Sequence, residues 1–157
     1  MSAVQTLTPN YLLAMSQQEL DELFAQLEPA PFNGIEGVFR GKLLGIKGMG
    51  LFPRSVRVLV YIVLHSALNP WRGKSFFNGR GSNLWFTTRN RFRFAHYVID
   101  QNSTGGELNY NIKENLKPLR GIRGQARQFS QDILLARMNY QVGGRSHRIL
   151  YFTLQAA

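Results

Sequence analysis

From about residue 71 onward the chain is a succession of short alternating segments cut by glycine-rich turns, and this pattern limits the folds open to it. Candidate strands run approximately over Arg72–Phe77, Asn83–Thr88, Phe92–Gln101, Glu107–Ile112, Asp132–Tyr140 and His147–Leu154. Between several of them stand Asn78-Gly79-Arg80-Gly81-Ser82, Asn102-Ser103-Thr104-Gly105-Gly106 and Val142-Gly143-Gly144, which supply turn backbones. An earlier stretch, Gly34 to Leu44, alternates as well, with Gly37, Phe39, Gly41 and Leu43 on one side. Glycine inside a strand marks a bend, as where a sheet curls to close. The expectation is a mainly β (α+β) fold, a sandwich or, preferably, a closed antiparallel β-barrel of about 7–8 strands.

The face pattern adds a second constraint. Leu134, Ala136, Met138 and Tyr140 oppose Ile133, Leu135, Arg137 and Asn139, while Leu150, Phe152 and Leu154 oppose Ile149, Tyr151 and Thr153. Neither face of these last strands is polar, so both are expected to be covered, as when helices pack outside an apolar barrel. The cover is expected from the N-terminus. Thr8-Pro9 opens a first short helix, and Ser16-Gln17-Gln18-Glu19 is a capping box leading into Leu20, Leu23, Phe24 and Leu27 at helical spacing. A third helix over 54–66, preferred to a strand there, is expected to cover the barrel; a further short helix is expected over Pro118–Arg127. The whole chain, 1–157, is expected to be one domain, with a helical segment at 1–31 and a barrel body at 34–154.

Charge is distributed unevenly. Residues 1–36 hold five acids and no base, whereas 37–157 hold all 19 basic residues against four acids, a balance of +15. Fourteen of the bases are arginine, whose fork suits carboxylate and phosphate. A basic body attracts anions of several kinds. Nucleic acid is disfavoured, because strand alternation in Phe86 to Phe94 would turn the rings inward and the arginines outward. Cysteine is absent, which removes disulfides, thiolate metal sites and a cysteine nucleophile. His65, His96 and His147 have no metal spacing, and neither a nucleophile elbow nor a phosphate-binding loop is present. No cofactor or metal is expected. Met1 to Gln18 lacks the features of a signal peptide, the apolar stretch near 54–66 is too short to span a bilayer, and a cytoplasmic location is expected.

The Gly37-Val38-Phe39-Arg40-Gly41 element, at the start of an antiparallel barrel of this size, resembles the opening motif of calycin-type barrels, the class of lipocalins and fatty-acid-binding proteins. Phe39 stands where lipocalins carry tryptophan, and a long insert at 45–70 interrupts the first hairpin. The resemblance implies a barrel that holds an apolar ligand. The expected function is binding of a small hydrophobic, anionic ligand, lipid-like or polyketide-like. Phe92, Phe94, His96, Tyr110, Met138 and Phe152 are the candidate lining, and Arg40, Arg72 or Arg137 the candidate head-group partner. An isomerase or cyclase acting in the same cavity is the alternative, and a basic nucleic-acid or membrane-surface module comes third; a homodimer is left open. Phe39-Arg40-Gly41-Lys42 and Trp71-Arg72-Gly73-Lys74 echo one another, as two similar strand openings or as a paired cationic rim.

Overall fold

Eight antiparallel strands close on themselves in sequence order, each hydrogen-bonded to its neighbours and the last to the first. The computed structural model describes residues 9–46, 71–86, 92–102 and 105–157. Its strands are β1 (Gly37–Ile46), β2 (Trp71–Phe77), β3 (Arg80–Trp85), β4 (Arg93–Asn102), β5 (Gly105–Asn109), β6 (Ile122–Ser130), β7 (Ile133–Val142) and β8 (Arg145–Ala156). Closure leaves no sheet edge, which is how a chain of short strands avoids edge-to-edge association. The helix expected over 54–66 lies outside the described residues.

Two helices precede the barrel, α1 (Pro9–Ala14) and α2 (Gln17–Gln26). The capping box forms as its spacing predicts: Glu19 N–H donates to Ser16 Oγ at 3.2 Å, and Ser16 N–H donates to the Glu19 carboxylate at 2.6 Å. Leu20 and Phe24 of α2, with Leu12 of α1, bury against Leu135 and Tyr151. Those two residues point out of the barrel, while Leu134, Ala136, Phe152 and Leu154 point into it. The doubly apolar pattern of β7 and β8 therefore has its explanation: one face fills the lumen and the other carries the helices.

The segment after α2 closes one end. Ala30 N–H donates to Ala126 O at 3.0 Å and Gln128 N–H to Glu28 O at 2.9 Å, so residues 28–30 pair with β6 where β5 gives out. Phe32 then turns over the barrel end onto Phe76, with ring centroids 6.0 Å apart. At the start of β6 the structure corrects the expected helix over Pro118–Arg127. A 3-10 turn, Lys117–Gly121, is followed directly by β6. Pro118 supports one tight turn, but Gly124 must lie flat against Leu108 of β5, and the chain is needed as a strand to complete the cylinder.

Where β1 crosses β2 the backbones come very close. Gly73 has φ +146°, and a Cβ on it would collide with the Phe39 carbonyl oxygen; a Cβ on Gly41 would strike the Trp71 ring. A Gly73→Ala substitution is expected to lower stability by about 3 kcal/mol or more, since both overpacking and an unfavourable φ oppose it. Urea unfolding of the two proteins measures this; a change below about 0.5 kcal/mol would contradict the close approach.

Candidate functional site

The interior is built around a lysine. Alternation from Trp71 would turn Lys74 outward, but Arg72 is an extra residue in the β2–β3 ladder: Trp71 pairs with Trp85 and Gly73 with Leu84. This bulge lets Trp71 and Lys74 both point inward while Arg72 stays exposed. Lys74 has no solvent-accessible surface. Its Nζ donates to Asn83 Oδ1 at 2.7 Å and to Tyr110 Oη at 2.6 Å. The rings of Tyr97, Tyr110 and Phe152 surround it, with centroids 5.0, 5.3 and 5.3 Å from Nζ.

Asn83 organises this cage from β3. Its Oδ1 also accepts from Trp71 Nε1 at 3.1 Å, and its Nδ2 donates to Ala95 O and to Tyr110 Oη, each at 3.2 Å. All of the Asn83 amide's hydrogen-bonding capacity is thereby used. Tyr97 Oη donates to Ser75 O at 2.8 Å, which pins that ring in place. Among the described residues no carboxylate pairs with Lys74; the ion pairs are Arg80–Glu114, Arg123–Glu107 and Arg148–Asp21. Ring faces and two neutral oxygens ease the burial of a charge without cancelling it. Burial accordingly pushes the Lys74 ammonium down from 10.5 to about 7, and pushes the Tyr97 and Tyr110 hydroxyls up. Both oxygens that accept from the amine belong to neutral groups, and the Tyr110 hydroxyl oxygen also accepts from Asn83 Nδ2.

The residues singled out from the sequence divide among several places. Tyr110 and Phe152 belong to the Lys74 cage, and Met138 packs against the same core. Phe94 and Phe92 are exposed, 49% and 56%, at the β3–β4 end of the barrel. Arg40 and Arg72 are exposed on the outer surface. His96 lies on the outer face, where Asn115 holds its backbone at both N–H and C=O. Arg137 faces outward beneath α2, with its guanidinium carbon 4.4 Å from the Phe24 ring centre and one N–H on Gln125 Oε1 at 2.8 Å. None of the three arginines is in the lumen; among the described residues the basic side chain that points inward is Lys74. The Trp71-Arg72-Gly73-Lys74 echo lies against its counterpart on β1, Phe39 opposite Lys74 and Arg40 opposite Gly73, but the matching Lys42 is exposed, so the repeat does not mark the inward lysine.

A groove of about 790 Å³ lies elsewhere, on the outer side of β2, β3 and β4, and its lining includes Val38, Ser75, Ser82, Arg93, His96 and Glu114. Its acid, Glu114, is more than half exposed and already paired with Arg80 at 3.3 Å. The buried lysine in the lumen, with no carboxylate partner among the described residues, makes the stronger candidate for a binding site. Among the described residues there is no cluster of three or more His, Asp or Glu side chains able to hold a metal ion, and no helix is long and apolar enough to cross a membrane.

A depressed lysine pKa has a definite consequence for stability. The folded protein resists protonation that the unfolded chain accepts, so the penalty is absent above pH 10.5, grows as pH falls and is complete below about 7. The full shift corresponds to about 5 kcal/mol. Lys74→Met, similar in length and apolar, is expected to gain stability relative to the native protein by about 3–5 kcal/mol on going from pH 10 to pH 6. Denaturant unfolding across that range tests it; a pH-independent difference would contradict the assignment.

No protein-family model and no curated protein sequence matches the chain. Among solved structures the chain is similar to a protein from Thermomonospora curvata, with a TM-score of 0.59 and 17% identity over 91% of this chain and 88% of that one. At that identity the likeness extends to the barrel architecture alone.

Proposed function

We propose that this is a calycin-like barrel that binds a small hydrophobic carboxylate, with the ligand's head group paired to Lys74. The observation that carries the reading is the fully buried Lys74 with no carboxylate among the described residues to pair with it. A barrel of eight strands is just wide enough for side chains or one small ligand. Phe32 stops one end, so the ligand enters at the other, beside Trp71, Trp85 and Phe94. Its carboxylate takes over the neutral contacts of Lys74 and draws the amine into its charged form. Trp71 Nε1 and Tyr110 Oη supply neutral donors to the same oxygens, and the apolar tail lies along Phe152 and Met138.

Decanoate is a suitable probe for calorimetry and native mass spectrometry. The expected result is one bound molecule, with affinity falling about tenfold or more in Lys74→Met. Binding at pH 8 should take up nearly one proton, and at pH 6 almost none, because Lys74 titrates near 7. Equal affinity in both proteins, or no proton uptake at pH 8, would overturn the reading.

Catalysis on a bound carbonyl compound is a second reading, favoured by the 2.6 Å separation of the Tyr110 hydroxyl from an amine whose neutral form burial brings into reach near pH 7. The amine adds to an aldehyde carbon and one nitrogen proton passes to the carbonyl oxygen; Tyr110 then protonates that hydroxyl, water leaves, and the tyrosinate takes the second nitrogen proton as the imine forms. Decanal followed by borohydride should then leave a stable adduct on Lys74 at neutral pH. Labelling confined to other lysines would exclude this reading.

A further inference from the structure

The β3–β4 end of the barrel presents aromatic rings to solvent. Phe86 is 67% exposed, Phe92 56% and Phe94 49%. Phe86 and Phe92 meet edge to face with centroids 5.8 Å apart, so they project as one apolar unit. Phe86 holds φ at +64°, a conformation that bulky side chains rarely adopt, and in this one its ring remains in solvent. Behind this pair Trp85 Nε1 donates to Phe94 O at 3.2 Å and the Trp85 ring lies 6.5 Å from that of Phe94, which fixes the base of the hairpin.

Charge surrounds the rings. Arg93 is exposed beside Phe92 and Phe94, and Arg72 is exposed on the adjoining strand. From 37 to 99 the chain contains no acidic residue at all. Exposed aromatic rings beside arginines match the two layers of an anionic bilayer surface, phosphate outside and hydrocarbon beneath. Single-stranded nucleic acid would be met by rings offering parallel faces to successive bases, whereas Phe86 and Phe92 stand at 80° to each other.

We propose that the β3–β4 end of the barrel docks on anionic membranes, Phe86 and Phe92 inserting below the headgroups while Arg72 and Arg93 hold lipid phosphates. This surface rims the same barrel end as Trp71 and is independent of what occupies the lumen.

Vesicle sedimentation with phosphatidylcholine alone and with phosphatidylcholine mixed with phosphatidylserine tests the proposal. Expected are binding to the mixed vesicles only, weakening as salt rises, and a blue shift with brominated-lipid quenching of tryptophan fluorescence. The double variant Phe86→Ser/Phe92→Ser should lose about tenfold or more in partition, because each ring removed takes apolar area out of the bilayer. Phe77→Ser is the control: that ring is 74% exposed, but on the β2–β3 turn at the opposite end of the barrel, and its loss should leave binding unchanged. Because all three rings are exposed, unchanged circular dichroism is expected for both variants. The proposal is overturned if the double variant binds as the native protein does, if mixed vesicles are not bound, or if an oligothymidylate is bound more tightly than the vesicles through the same two rings.

Discussion

The burial of a lysine with no carboxylate partner among the described residues is the constraint on which the rest of this barrel turns. It arises from one extra residue. With Arg72 bulged out of the β2–β3 ladder, Trp71 and Lys74 both enter the lumen, and the neighbouring strands must then accommodate an amine. They do so with neutral groups: an amide from β3, a tyrosine just beyond β5, and ring faces from β4 and β8. Gly73 and Gly41 complete the arrangement by allowing β1 and the Trp71 ring to close over the bulge. An apolar side chain at 74 would need neither the Asn83 nor the Tyr110 oxygen. The expense in stability is borne by the surrounding core.

That core has two layers. Inside, Phe39, Phe76, Tyr97 and Tyr110 form a continuous run of rings, with neighbouring centroids 5.2 to 5.8 Å apart. Outside, α1 and α2 cover β7 and β8, and the acidic N-terminal segment meets the basic body directly. Asp21 pairs with Arg148 and accepts from Tyr151 Oη at 2.6 Å, while Phe24 lies between the guanidinium groups of Arg127 and Arg137. The opposite charges of the two parts of the chain therefore act within one molecule, and Arg137 is occupied in holding a helix.

Much of the architecture was legible because alternation and turn chemistry are local. The capping box at Ser16, the glycine turn at 143–144 and the doubly apolar faces of β7 and β8 all follow from residues within a few positions of one another. What escaped the sequence involves a shift in register. Ala95, with φ +60°, is an extra residue in the β3–β4 ladder; Ala95, Tyr97 and Ile99 belong to the core, while Phe92 and Phe94 are exposed. Arg72 has the same effect on β2, so the sequence presents Lys74 only as part of a repeated tetrapeptide. A bulge has no strong residue signature of its own, since it is fixed by the pairing of the neighbouring strands. β6 is hidden in the sequence for a related reason: Pro118 and two glycines resemble a break, yet barrel closure demands a strand directly after the 3-10 turn.

The most direct measurement is the titration of Lys74 itself, followed by heteronuclear NMR on protein carrying labelled lysine and assigned by comparison with Lys74→Met. The account requires a midpoint near 7, moving upward when a carboxylate ligand is bound. A midpoint in the ordinary lysine range near 10.5 would mean that water or an unrecognised anion reaches the amine, and the buried, uncompensated charge would be refuted.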